Sequence, residues 1–210
     1  MTNYQSTQKQ PIYSPFVDAV ETATQSTGET LNKIAENPLI RFINSKFGNS
    51  WLKNLLGKVE TQTVSLKVKK LQQQYPLETS GDIAHRLMVE KAKQGAGIGV
   101  VTNFIPPLAA ALFALDLAAI AKLQAELIYE IAAVYGLDLE DPSRRGEVLA
   151  IFGLALGGSS VVKTGLSFAE IIPGAGLVIG ASTNAVVIYG VGQAACHYYE
   201  AKNKNLQANH

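Results

Sequence analysis

The sequence predicts an all-α protein, a multi-helix bundle with long Gly/Ala-rich apolar helices preceded by weaker amphipathic helices. Proline and glycine divide the chain into segments whose apolar residues recur at helical spacing. No series of short alternating strands joined by hairpin turns is visible. Apolar residues make up 47% of the chain and charged residues 17%, against about 25% charged in an average protein. These helices are therefore expected to pack against one another or against lipid.

The N-terminal part is more polar than the rest. Residues 1–12 are rich in Gln, Ser and Thr and predict a disordered tail. Residues 13–79 predict a helical extension made of weakly amphipathic helices. Within it, residues 61–68 alternate in a way that also fits a strand, but a single strand would have no partner. We therefore predict a helix there as well.

Helix boundaries in the remaining chain are marked by N-cap residues or proline at the starts and by glycine or polar residues at the ends. They predict helices that start at Thr79-Ser80 with Asp82 in the first turn, at Pro106-Pro107 with an end near Tyr135-Gly136, at Asp141-Pro142 with an end near Leu156, and at Pro173 with an end in a polar tail, residues 203–210. The predicted second domain spans residues 80–202.

Two long stretches are almost free of charge. Residues 95–121 contain one charged side chain, Asp116, and residues 171–199 contain none. A helix needs about 20 apolar residues to cross a bilayer. The first stretch is interrupted by Pro106-Pro107, and the second contains five glycines. Two interpretations stay open: core helices buried on all sides by other helices, or a hairpin that enters or lies on a membrane.

Asp116 is the candidate functional residue. A helical projection places it with large apolar residues, which are Leu112, Ile120, Leu123 and Leu127. An unpaired carboxylate there would be costly. It could pair with Lys163, Arg144 or Arg145, accept hydrogen bonds from polar groups such as those of Asn184, or stay protonated with a raised pKa. We predict that Asp116 makes a polar contact that fixes the register of two helices. A hydrolase centred on this carboxylate is the less favoured hypothesis.

Other functional classes receive little support. We predict no catalytic residue, no metal site and no cofactor, and we identify no small-molecule substrate. The net charge of +1 and the absence of aromatics among the basic residues argue against nucleic-acid binding. The chain has one cysteine, Cys196, so an intrachain disulfide is excluded.

The segments IPPLAAALFALDLAAIAKLQAELIYEIAAVYG and IPGAGLVIGASTNAVVIYG, within roughly residues 80–200, resemble the EcsC family. They also look like a related bacterial helical domain of unknown function that often accompanies GTPases. The matching residues are Ile105-Pro106, Asp116, Gln124, Tyr135-Gly136, Ile172-Pro173-Gly174 and Asn184. The resemblance implies an α-helical, often membrane-associated protein with accessory roles in transport or secretion. It carries over no catalytic residues.

We therefore expect a non-enzymatic, membrane-associated helical protein, an accessory to transport or membrane organisation. Its partner would be a membrane or a membrane protein, and its place the cytoplasmic side of a membrane, peripheral or inserted as a hairpin. The alternative is a soluble helical interaction module in the cytoplasm with a closed apolar core. A homo-oligomer is compatible with both.

Overall fold

The computed structural model describes residues 14–25, 59–98, 109–156 and 183–208. These residues form six helices and no strand, which confirms the predicted all-α class. The helices are α1 Ser14–Gln25, α2 Thr61–Gln74, α3 Ser80–Gly97, α4 Ala109–Val134, α5 Pro142–Leu156 and α6 Thr183–Ala208. The disordered tail predicted for residues 1–12 and the helix start predicted at Pro173 lie outside the described residues.

Local signals set the boundaries of α3. The Thr79 hydroxyl accepts a hydrogen bond from the backbone N–H of Asp82 at 3.2 Å. The Asp82 carboxylate in turn accepts one from the backbone N–H of Thr79 at 2.9 Å. This reciprocal capping box satisfies two N–H groups that have no partner within the helix. The predicted start of α3 is confirmed.

The connection between α4 and α5 also follows its local sequence. Gly136, just after α4, has a φ of 76°, the left-handed conformation that favours glycine. At the start of α5, the Asp141 carboxylate accepts a hydrogen bond from the backbone N–H of Ser143 at 2.8 Å. The predicted boundaries at both positions are confirmed, and so is the helix over residues 61–68.

Helix α6 differs from its prediction at the C-terminal end. The sequence predicts a polar tail over residues 203–210, but the helix continues to Ala208. Lys204 pairs with Glu200 one turn earlier at 2.7 Å, a spacing that supports an exposed helix. Lys202 pairs with Glu147 of α5. The polar residues thus form a solvated face of a helix instead of ending it.

Helices α3, α4 and α6 pack closely against one another. Gly192 of α6 faces Met88 of α3 and Leu127 of α4. A methyl group placed on Gly192 would lie 2.8 Å from the Met88 sulfur and 3.0 Å from Leu127 Cδ2. The missing side chain therefore lets three helices meet at one point. Helix α2 packs on α4, and α1 packs on α5 and α6.

The core formed in this way consists mainly of aliphatic side chains and tyrosines. Leu127, Ile131 and Ile188 are fully inaccessible to solvent, whereas most of α2 faces outward and buries only Val64 and Val68. Within the four described ranges, no helix combines the length and the apolar character needed to cross a membrane.

Candidate functional site

Three helices meet at one end of the protein. A methyl group placed on Gly95 of α3 would contact Ile188 of α6 and lie 3.7 Å from Ile120 Cδ1 of α4. The Asn184 side-chain amide donates a hydrogen bond to the carbonyl oxygen of Ile98 at 3.2 Å. The C-terminal end of α3 and the N-terminal end of α6 therefore lie side by side.

Among the described residues, helix α4 extends further than α3 and α6 at this end. It begins 11 residues before Ile120, or about 16 Å at 1.5 Å per residue. Helix α6 begins five residues before Ile188, about 7 Å, and α3 ends two residues after Gly95, about 3 Å. The first turns of α4 thus lie outside the three-helix contact.

We call residues 95–98, 109–120 and 183–188 the apolar end. Asp116 is its only charged residue. Leu115 is 56% exposed, and it is one of three large apolar side chains that are exposed in the described part of the chain. The apolar end therefore combines a near-absence of charge with an exposed aliphatic side chain.

Asp116 is partly exposed and not sealed among large apolar residues. Among the residues that the structure describes, none forms a hydrogen bond or an ion pair with its carboxylate. The predicted contact that fixes the helix register assumes that an unpaired Asp116 would be buried at a high cost in free energy. Because water reaches the side chain, this cost does not arise here.

The proposed arginine partners of Asp116 lie elsewhere. Arg144 and Arg145 both lie near the hydroxyl of Tyr129, where they oppose the rise in its pKa that burial causes. Tyr129 is 13 residues, about 20 Å along α4, from Asp116. Arg144 also pairs with Glu147. Neither arginine is therefore a partner of Asp116. Lys163, the remaining candidate, lies outside the described residues.

The other residues of the predicted pattern do not gather around Asp116. Asn184 is bound to Ile98, as described above. Gln124 is 1% exposed, and its Nε2 has no hydrogen-bond partner within the described ranges. Tyr135 is buried at the end of α4, where desolvation raises the pKa of its hydroxyl. Asp116 and Tyr135 lie 19 positions apart in the sequence, with Gln124 between them, so the three residues do not form one site.

A buried charged cluster joins α2, α3 and α4. Lys91 of α3 is 4% exposed. Its ammonium lies 2.6 Å from Glu126 and 3.4 Å from Glu130, both on α4. Lys67 of α2 lies 3.0 Å from the same Glu130 oxygen and 2.9 Å from Glu90 of α3. One carboxylate thus binds lysines from two neighbouring helices.

Burial and ion pairing shift the pKa values of Glu130 and Lys67 in opposite directions. Desolvation raises the pKa of Glu130 and outweighs the lowering effect of Lys91 and Lys67. Desolvation also lowers the pKa of Lys67, but the ion pairs with Glu130 and Glu90 outweigh it and the pKa is raised. The two directions are compatible because Lys67 is partly solvated, whereas one oxygen of Glu130 is buried without a hydrogen-bond partner among the described residues.

A second buried charged cluster joins α5 and α6. Glu147 binds Arg144 through one carboxylate oxygen and Lys202 through the other. The Arg144 guanidinium lies 5.5 Å from the centre of the Tyr199 ring. Burial raises the pKa of the Tyr199 hydroxyl and outweighs the lowering effect of the nearby Arg144.

Neither charged cluster was predicted from the sequence. Lys91 follows Leu87 by four residues and Met88 by three, so it falls on the buried face of α3. A charged residue in such a position indicates a buried ion pair, but the partner on another helix is not visible in sequence spacing. In the described ranges, no group of three His, Cys, Asp or Glu side chains is arranged to hold a metal ion.

The chain is similar to one known protein family. The EcsC protein family model matches residues 7–167. The match includes α1 to α5 and ends before α6, whereas the resemblance seen in the sequence spans roughly residues 80–200. No curated protein and no solved structure is significantly similar to the chain. Because the match covers well over half of the sequence, the chain belongs to the EcsC protein family.

Proposed function

We propose that the protein is a non-enzymatic, membrane-associated helical protein that contacts a bilayer through its apolar end. The observation that carries the proposal is the extension of α4 beyond the described residues of α3 and α6, with Leu115 56% exposed on it. An exposed aliphatic side chain on a nearly uncharged surface loses free energy when it is transferred from water to lipid.

The composition of the connecting segments also supports the apolar end as the membrane-contacting surface. Residues 99–108 link α3 to α4, and residues 157–182 precede α6, so both segments join helices at the apolar end. Together these 36 residues contain two charged side chains, Lys163 and Glu170. The charge-poor character of the apolar end thus extends into the chain attached to it.

The rest of the molecule suits an aqueous environment. Ion pairs join α2, α3 and α4 at one place and α5 and α6 at another. The bundle of Gly/Ala-rich helices then serves as a rigid support that presents the apolar end. A role as an accessory to transport or membrane organisation, at the cytoplasmic side of a membrane, agrees with the family resemblance.

Flotation with lipid vesicles tests the proposal. Leu115→Asp places a second carboxylate on the apolar end, and Leu66→Asp makes the same change on α2, where Leu66 is 69% exposed. A charge that enters a bilayer costs about 2.5 kcal/mol or more. We expect wild type and Leu66→Asp to float with vesicles and Leu115→Asp to remain in the aqueous fraction.

Asp116→Asn tests the same surface in the opposite direction. Removing the only charge of the apolar end lowers the cost of lipid contact, so more of this variant should float at equal lipid concentration. Circular dichroism should show wild-type helix content for all three variants. Equal flotation of Leu115→Asp and Leu66→Asp would remove the apolar end as the contact surface.

A soluble interaction module with a closed apolar core is the second candidate. The observation in its favour is that Leu127, Ile131 and Ile188 are already buried by protein alone. This alternative predicts a monodisperse protein that stays in the soluble fraction at low salt without detergent and does not float with vesicles. It also allows a homo-oligomer formed through the apolar end, which light scattering would detect.

A further inference from the structure

We propose that Lys93 and Lys122 form a basic collar that binds the phosphate groups of anionic lipids at the border of the apolar end. The inference rests on the proposed function and adds the class of lipid to it. The collar would set both the depth to which the apolar end enters the bilayer and a preference for anionic membranes.

The two lysines lie at the same height. Lys93 is two residues before Gly95 on α3, and Lys122 is two residues after Ile120 on α4. Gly95 and Ile120 face each other, and the two helices run in opposite directions. Each lysine is therefore about 3 Å from the Gly95–Ile120 level, on the side away from the apolar end. Beyond that level, the described parts of α3, α4 and α6 carry no charge except Asp116.

The charges of both lysines are available to a ligand. Lys93 is exposed and forms no ion pair with any residue in the described ranges. The Lys122 side chain is 54% exposed and lies 3.5 Å from Glu126. The second oxygen of Glu126 already binds Lys91 at 2.6 Å. The connected ion pairs of Lys67, Lys91 and Lys122 with Glu90, Glu126 and Glu130 balance one another, and Lys93 adds a positive charge.

This arrangement fits a lipid headgroup better than a free phosphate ion. A lysine can lay its aliphatic stem along an apolar surface while its ammonium reaches the polar interface. Ammonium groups at the border of the apolar end, on which Leu115 is exposed, match ligands with a negative headgroup and an apolar tail. A free phosphate ion would gain nothing from the apolar end.

Matched double variants test the collar. Lys93→Gln with Lys122→Gln removes it, whereas Lys69→Gln with Lys70→Gln removes two exposed lysines of α2. The control pair lies within one turn of Lys67, whose partner Glu130 is ten residues, about 15 Å along α4, from Ile120. Flotation is measured with phosphatidylcholine vesicles, with and without phosphatidylglycerol, and with inorganic phosphate as a competitor.

We expect wild type to bind the vesicles with phosphatidylglycerol more tightly. The collar variant should lose roughly 30-fold in affinity for them, about fivefold for each lysine, and should bind phosphatidylcholine as wild type does. The α2 variant should retain the preference, and added salt should weaken it. Inorganic phosphate at the same ionic strength should compete no better than chloride.

Other outcomes separate the two proposals. Equal binding of wild type to both vesicle types overturns the collar and leaves the membrane contact intact. Equal losses in the collar and α2 variants also overturn the collar, since only general positive charge would matter. Specific competition by inorganic phosphate overturns the lipid headgroup as the ligand. Absence of binding to either vesicle overturns the proposed function, and the collar with it.

Discussion

Arg144 and Glu147 form an ion pair one turn apart on α5, and their side chains are only 2% and 1% exposed. The Arg144 Nε also donates a hydrogen bond to the carbonyl oxygen of Asp138 at 3.1 Å. Lys202 of α6 completes the neutralisation of Glu147 by binding its second oxygen. This group therefore holds together α5, the loop before it and the C-terminal part of α6.

Glu147→Gln should strongly destabilise the protein. The substitution keeps the shape of the side chain but removes the negative charge that neutralises the buried Arg144 guanidinium. Loss of one member of a buried ion pair typically costs about 3–5 kcal/mol. Urea denaturation followed by circular dichroism should show a loss of about 3 kcal/mol. Glu200→Gln, which removes the exposed pair with Lys204, is the control and should cost less than about 1 kcal/mol.

Glu130→Gln should change the pH dependence of stability. Burial raises the pKa of Glu130 in the folded protein above its ordinary value of 4.5. The folded state then binds this proton more tightly than the unfolded state does. The stability that Glu130 contributes is therefore greatest below about pH 4.5 and declines as the pH rises through the folded-state pKa. Gln has no proton to lose and removes this trend.

The measurement is the free energy of unfolding of both proteins from pH 4 to pH 8. Relative to Glu130→Gln, wild type should become steadily less stable as the pH rises, by about 1.4 kcal/mol for each pH unit of the pKa shift. Gln73→Ala, at an exposed and uncharged position of α2, should follow wild type at every pH. If wild type instead became more stable than Glu130→Gln as the pH rises, the effect of the ion pairs with Lys67 and Lys91 on the pKa of Glu130 would outweigh that of burial.

Local features of this fold could be read from the sequence. The Thr79 and Asp82 pair starts α3, Gly136 ends α4, and Asp141 starts α5, because each signal acts within a few residues of its own position. The charge-poor character of the apolar end is likewise a property of sequence. What these signals cannot give is which helices lie beside each other.

The predictions that differ from the structure, and the contacts that were not predicted, all depend on such neighbours. The sequence offers Arg144 as a partner of Asp116, but the turn after α4 places it beside Glu147 and Tyr129 instead. The buried position of Lys91 is possible only because Glu126 and Glu130 face it from another helix. The polar end of α6 stays helical partly because Lys202 reaches Glu147 of α5. Sequence spacing describes one helix at a time and contains none of these contacts.

Gly136→Ala should destabilise the protein through the backbone alone. Gly136 has a φ of 76°, and a methyl group placed on it would meet no heavy atom within 4 Å, so strain and not crowding is the cause. An L-residue in this conformation costs about 1–2 kcal/mol, which should appear as a lower urea midpoint. Gly136→Asn should recover part of the loss, because asparagine tolerates this region better. Gly97→Ala also meets no neighbour within 4 Å and should not be destabilising.

Gly192→Ala and Gly190→Ala should have opposite effects although they lie two residues apart on α6. A methyl group on Gly190 meets nothing within 4 Å, so alanine should stabilise the helix by about 0.5–1 kcal/mol. On Gly192 it would lie 2.8 Å from the Met88 sulfur and 3.0 Å from Leu127 Cδ2. Overpacking of this kind costs about 1–3 kcal/mol, so Gly192→Ala should unfold at lower urea concentration than wild type.

A double-mutant cycle identifies Met88 as the cause of that loss. Met88→Ala alone leaves a cavity and is destabilising. In the Gly192→Ala background the new methyl group occupies part of this space, so the double variant should be more stable than the sum of the two losses by at least about 0.5 kcal/mol. Simple additivity would show that α3 and α6 do not meet at Gly192, and the packing of the three helices that support the apolar end would have to be different.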